Sequence, residues 1–205
     1  MASDSPRVRI RRARSPQTRP GEILDAAMSL FRERGYAETS MRHIAQAADV
    51  AIGTVYLYYP SKDSVLAECH RRFRDGLAAH VGQAVLEPLR AGQDVDLRAA
   101  LDTAAHAIAD FARDNRELCE VTLTSAPAGA ADAASQKISQ VIAAVLEQAR
   151  HRGLVHAPDP DVAALLLSRM LGYPICAAAV FGDPPLDRVL PIATDMAYRS
   201  LQPAQ

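Results

Sequence analysis

The sequence predicts an all-α protein of about nine to ten helices. Alanine, the residue with the best helix propensity, supplies 39 of the 205 positions. From Glu22 onward, apolar residues recur at a 3.6-residue period in one segment after another. The single run rich in strand formers, Gly53–Tyr59, has no partner strand in the chain. Hydrophobic residues make up 49% and charged residues 23%, so the chain has the composition and length to bury a core without disulfides or a structural metal.

Taken in order, residues 1–20 read as a basic arm. Arg7, Arg9, Arg11, Arg12, Arg14 and Arg19 alternate with small residues, and Pro6, Pro16 and Pro20 oppose a helix. Such an arm is either merely solvated or touches DNA phosphate or the minor groove. The first helix starts at Glu22, with Ile23, Ala26, Ala27, Leu30 and Phe31 on one face and Gly35 suited to a left-handed cap. After a loop at Tyr36–Glu38, Thr39 or Ser40 caps a second helix with Met41, Ile44, Ala45 and Ala48 on its apolar face. That helix stops near Asp49 and Val50. Gly53–Tyr59 is a short third helix, its strand propensity overruled by Pro60 and by helical neighbours on both sides.

Ser61 caps a fourth helix that runs from Lys62 to Val85 and ends before Pro88. A loop at Ala91–Asp96 leads to a helix marked by Leu97, Leu101, Ala104, Ala105, Ile108 and Phe111. A short one follows around Leu118, Val121 and Leu123, stopped by Pro127. Ala128–Ala134 is a small-residue linker. Ile138, Val141, Ile142, Val145, Leu146 and Ala149 form an amphipathic stripe ended by Gly153. Asp161–Phe181 and, after the break at Gly182–Pro185, Leu186–Leu201 complete the chain.

The formal net charge of −1 conceals +4 over residues 1–62 and −5 over residues 63–205. Five of the ten aromatic residues, Phe31, Tyr36, Tyr56, Tyr58 and Tyr59, fall within 29 positions of the positive part. Such asymmetry points to contact with nucleic acid or a membrane. Cys69, Cys119 and Cys176 are odd in number and far apart, which suits a reducing cytoplasm and makes no metal or redox motif. No apolar stretch follows the basic start as a secretory signal would require. Val162–Phe181 approaches the length of a membrane span, but Arg169, Pro174, Asp159 and Asp161 favour a buried interface helix.

Enzymatic motifs are missing: no phosphate loop, dinucleotide fingerprint, nucleophile elbow or H-E-x-x-H occurs. His43, His70, His80, His106, His151 and His156 make no zinc-binding pair at i, i+4. Nothing points to catalysis, and neither cofactor nor metal is expected.

The second and third helices meet at a tight turn, as in a helix-turn-helix whose second helix enters the major groove. Ile44 and Ala45 supply the inner face of the first helix, and Val50 the buried anchor of the turn. Gly53 permits close backbone approach, and Thr54, Tyr56 and Tyr58 carry hydroxyls that reach phosphates. Tyr59 shares a helical face with Val55.

Residues 21–66 resemble the N-terminal domain of the TetR family of bacterial transcriptional regulators. The resemblance rests on Ile23–Ala27, Leu30–Tyr36, Thr39–Ala45 and Gly53–Lys62, and continues to Leu66. It implies that Thr39 or Ser40, with Arg42, hold phosphates from the second helix. It implies that Ala51, Ile52, Thr54, Tyr56 and Leu57 face base edges or phosphates, with Tyr58 and Lys62 as phosphate clamps. Val50, Val55 and Tyr59 would be packing. Two positions depart from the family pattern. Asp49 stands where glycine is usual, in a turn that often needs positive φ, and Ala51 stands where serine usually caps the reading helix. Ala51, Ile52 and Leu57 make thymine-methyl contacts but no bidentate base bond, so affinity is expected to lean on phosphates and to fall steeply with salt.

The resemblance further implies a larger helical domain over residues 67–205 for effector binding and dimerisation. The two most continuous apolar segments, about 135–152 and 161–181, are expected at the dimer interface. Phe73, Leu77, His106, Phe111, Cys119, Thr122, Leu123 and Tyr173 are candidate lining residues for a mainly apolar small-molecule effector. The function expected is thus a cytoplasmic, homodimeric repressor, released from a palindromic operator in double-stranded DNA by that effector. An activator of the same family is one alternative. Another is a helical binding or scaffold protein with a basic RNA- or membrane-contacting arm.

Overall fold

A computed structural model describes residues 19–91, 96–125 and 132–202. Among these residues the chain forms nine helices and no strand: α1 (Arg19–Glu38), α2 (Met41–Ala47), α3 (Ile52–Tyr58), α4 (Lys62–Arg90), α5 (Leu97–Asp114), α6 (Arg116–Thr124), α7 (Asp132–His151), α8 (Pro160–Phe181) and α9 (Leu186–Ser200). Most of the expected basic arm and the break at Pro127 lie outside the described residues.

Three proline and boundary expectations are corrected. Arg19 and Pro20 form the first turn of α1, where a missing N–H would have had no helical partner anyway. α4 passes through Pro88 to Arg90, because a proline in the last turn forfeits one backbone bond without interrupting a ladder beyond it. α7 begins at Asp132, so part of the expected linker is helical. α1 is broken where expected: Gly35 has φ 82° and ψ 163°, a conformation that disfavours any residue with a Cβ.

Helices α1 to α3 pack with the start of α4 around Ile23, Phe31, Ile44, Val55, Val65 and Leu66. α4 then runs on, about 43 Å in all at 1.5 Å per residue, to pack on α5, α6 and α7. The expected boundary at residues 66/67 therefore falls inside one continuous helix. α5, α7, α8 and α9 make the main bundle. α6 lies between α1, α4 and α8, and Arg32 on α1 pairs with Glu117 on α6 at 3.2 Å. Arg72 on α4 pairs with Asp25 on α1 at 3.0 Å.

α8 is long and apolar enough to cross a membrane by length and composition. Here Ala164, Leu167, Leu171 and Ile175 are buried against the bundle. Val162, Leu165, Leu166, Tyr173 and Phe181 on α8, with Ile192 and Met196 on α9, are large apolar side chains left exposed. On α7, Leu146 is buried, and Ile142 and Val145 line a cavity within the chain.

Candidate nucleic-acid interface and interior cavity

The turn between α2 and α3 is built from backbone hydrogen bonds. Val50 N donates to Ala45 O at 3.0 Å and Asp49 N to Gln46 O at 3.2 Å, the reciprocal pair of a Schellman helix end. Asp49 takes the left-handed position with φ 52°, the conformation that glycine adopts most easily and aspartate better than most residues. Ala51 occupies the α3 N-cap in an extended conformation and makes no side-chain cap bond. The first turn of α3 therefore lacks one partner that serine would provide.

α3 has two unlike faces. Val55 is fully buried and Tyr59 nearly so, and the Tyr59 hydroxyl donates to Pro20 O at 3.3 Å. Burial, with Glu68 and Cys69 nearby, pushes the Tyr59 phenol up to about 12, so it stays protonated. Ile52, Gly53, Tyr56 and Leu57 share the opposite, exposed face, with Leu57 at 78% exposure. Thr54 and Tyr58 are half-buried at its edges. A Cβ added at Gly53 would meet nothing within 4 Å, and the residue has no positive φ. Neither packing within the chain nor backbone geometry explains a glycine there.

On α2, Ser40 is the N-cap. Its Oγ accepts from His43 N at 3.2 Å, while Ser40 N donates to His43 Nδ1 at 3.3 Å. This is a capping box with histidine in place of the usual acid or amide. Arg42, one position on, is exposed. Thr39 is not at the surface: it is 2% exposed, and its hydroxyl donates to Gly35 O at 2.8 Å and Leu30 O at 3.3 Å. It satisfies carbonyls freed by the break in α1.

Lys62 is likewise turned inward. Its ammonium donates to the carbonyls of Tyr36 at 2.7 Å, Thr39 at 2.7 Å and Ala37 at 3.2 Å. An ammonium has three donors, and all three hold the end of α1 and the link to α2. Tyr36 donates its hydroxyl to Asp63, and burial together with that carboxylate raises the phenol to about 12. The start of α4 is fixed by a second reciprocal cap, with Ser61 N donating to Ser64 Oγ and Ser64 N to Ser61 Oγ, both at 3.1 Å.

The expected effector residues do not converge. Of the eight, Leu77 alone lines the interior cavity, a space of about 100 Å³ between α4, α5, α7 and α8. Its other walls include Val81, Val85, Leu101, Ile108, Leu167 and Leu171. Phe73 and Phe111 pack against each other, their ring centres 5.5 Å apart and their planes tilted by 57°. A Cβ on Gly76 would come within 2.7 Å of the Phe111 ring, so that glycine makes room for the pair. His106 faces an open groove with His80, its Nδ1 lying 2.7 Å from Asp102 O. Cys119 is fully buried, its thiol pushed up by hydrogen bonding with Cys176 and by burial. Thr122 donates to Leu118 O at 2.8 Å, Leu123 packs partly buried against the core, and Tyr173 is exposed.

The wall residues outside the expected eight follow a pattern present in the sequence: Val81 and Val85 continue from Leu77 at every fourth position on α4, and Leu97, Leu101 and Ile108 line the cavity from α5.

Residues 23–69 match the family model described as bacterial regulatory proteins, tetR family. The HTH-type transcriptional repressor KstR2 of Rhodococcus jostii is 38% identical over 81 residues, which is 40% of this chain and 37% of that protein. The chain thus matches little more than a third of that relative's length. SmeT, the repressor of the Stenotrophomonas maltophilia multidrug efflux pump SmeDEF, superposes with a TM-score of 0.70 at 24% identity over 89% of each chain. The transcriptional repressor FadR of Thermus thermophilus, in complex with lauroyl-CoA, superposes with a TM-score of 0.63 at 24% identity, over 91% of this chain and 96% of that one. At these identities the likeness establishes the shared fold.

Proposed function

Residues 23–69 match the family model of bacterial regulatory proteins, tetR family, and on that premise we propose that the protein is a dimeric, cytoplasmic transcriptional repressor released from a palindromic operator by a small-molecule effector. The observation that carries this reading is the exposed face of α3. Ile52, Tyr56 and Leu57 stand out from a helix whose other face is anchored by Val55 and Tyr59. Gly53 on the same face has its explanation outside the chain, in close approach to a DNA backbone. Ser40 Oγ, Arg42, Thr54 and Tyr58 flank that face as phosphate ligands. Thr39 and Lys62 act one step back, by holding the loop that aims α2.

Residues 21–66 then serve as the reading domain and residues 67–205 as the effector and dimerisation domain. The exposed apolar side chains of α8 and α9 supply a self-complementary face for a two-fold dimer, which suits a palindrome. Repression, as opposed to activation, follows from the likeness to repressors. The cavity between α4, α5, α7 and α8 supplies an effector site, and α4 reaches from its wall to the reading domain. A ligand that binds one spacing of the two reading domains better than another shifts the equilibrium between them.

The test is operator selection from random duplexes with the purified full-length protein, followed by footprinting. A single protected palindrome with two half-sites is the expected result. Uniform protection without a discrete site overturns the reading.

A further inference from the structure

The interior cavity has a neighbour. A second, smaller space of about 40 Å³ lies beside it, and the two share Leu97, Ala100 and Val145 as walls. The chemistry changes across that junction. On the cavity side, Ser168 is the one wall residue with a polar side chain, and its Oγ already donates to Leu165 O at 2.8 Å and lies 3.2 Å from Ser139 Oγ. A polar group pushed into this end would lose its hydration and find no partner. On the other side the walls include Gln148 and Arg152, both exposed.

The turn that ends α7 fixes the backbone around Arg152, which lines this smaller space. Gly153 N donates to Arg150 O at 2.9 Å and Leu154 N to Ala149 O at 3.0 Å. The neighbouring Arg150 is engaged with Glu147 at 2.7 Å. Among the described residues no carboxylate lies within 4.0 Å of the Arg152 guanidinium. A fork of donors at the rim of an aliphatic pocket is suited to a carboxylate, which it meets with two parallel hydrogen bonds.

We infer that this composite site takes an aliphatic carboxylate, its chain in the cavity and its head at Arg152 and Gln148. The inference rests on the effector reading above and adds the chemical class of the ligand. A cavity of about 100 Å³ holds an apolar group on the order of six carbons, so the complementary ligand is a short to medium chain. Affinity should climb about fourfold per added methylene until the space is filled.

The test is calorimetric titration of the full-length protein with octanoate, 1-octanol and octylamine, with no DNA present. Octanoate should bind best and octylamine worst. Arg152→Gln, a surface change, should weaken octanoate roughly tenfold and leave octanol unchanged. Ala100→Phe, at the junction, should remove binding of both while circular dichroism stays native. Equal binding of octanoate and octanol with no effect of Arg152→Gln overturns the carboxylate head. Failure of all three to bind the wild type overturns the site. Operator release is measured separately: octanoate binding without release supports the site and counts against the effector reading, whereas loss of operator recognition altogether counts against the regulator reading alone.

Discussion

The ammonium of Lys62 donates to the Tyr36 carbonyl at 2.7 Å and lies 4.3 Å from the centre of the Tyr36 ring. One side chain at the start of α4 thus fastens the end of α1 and the link to α2. Replacing it with methionine keeps the stem and removes the donors. Lys62→Met should cost about 1–2 kcal/mol of stability and weaken operator binding, with the slope of log Kd against log salt unchanged. Arg42→Ala should instead flatten that slope by roughly 0.9, the share of one phosphate. A flatter slope with unaltered thermal stability in Lys62→Met would return Lys62 to the DNA surface.

Gly53 offers a trade between stability and binding. A methyl there meets nothing within 4 Å of the chain, and alanine is favoured over glycine in a helix interior by about 0.5–1 kcal/mol. Gly53→Ala should therefore raise the melting temperature while weakening operator binding severalfold. Unchanged affinity in that variant would mean that the backbone of α3 does not approach DNA closely at this point.

The α3 N-cap can be improved by one atom. Ala51 already has the extended conformation of a cap residue, φ −66° and ψ 144°, but no side-chain acceptor. Ala51→Ser should add about 0.5–1 kcal/mol, read as a rise in the denaturant midpoint without a change in m-value.

His70 predicts a pH dependence of stability. The residue is 1% exposed, and among the described residues its Nε2 has no hydrogen-bond partner. Burial, reinforced by the nearby Arg74 charge and opposed by a bond to the Val121 backbone, holds its pKa below the ordinary 6.5. The folded state therefore binds this proton less readily than the unfolded chain. Stability is fully present above the unfolded value and declines as pH falls below it, until the lower folded-state value is reached. Melting temperatures at pH 7.5 and 5.5 should differ more in the wild type than in His70→Leu.

The apolar face of α8 and α9 predicts oligomeric state. Leu166 and Ile192 are 63% and 60% exposed, so a charge at either leaves the fold of the single chain intact. Leu166→Glu with Ile192→Glu should sediment as a folded monomer and lose cooperative operator binding. A double variant that remains a dimer would place the interface elsewhere.

Helix periodicity and cap residues were legible in the chain, because they depend on neighbours within four or five positions. Ser40, Ser61 and Asp49 do what their side chains allow locally. The two faces of α3 were also readable in outline, since Val55 and Tyr59 lie four apart. What could not be read was direction over longer distances. Thr39 and Lys62 have the right chemistry for phosphate, yet backbone carbonyls of the interrupted α1 and the loop that follows lie closer to them than any solvent-facing ligand. Phe73 and Phe111 have the right size for a pocket wall, yet Gly76 lets them close on each other.

The sequence by itself determined the helices, their caps and the helix-turn-helix, because those rest on local backbone hydrogen bonds and on a period visible within a dozen residues. Tertiary structure alone decided where the helices spend their apolar faces. It turned Ile142, Val145 and Leu146 of α7 inward, left one face of α8 and α9 exposed, and set Arg152 beside the small space that adjoins the cavity. Each of those outcomes depends on which helices touch, and contact between helices far apart in the chain is settled by packing of whole surfaces, which no single segment encodes.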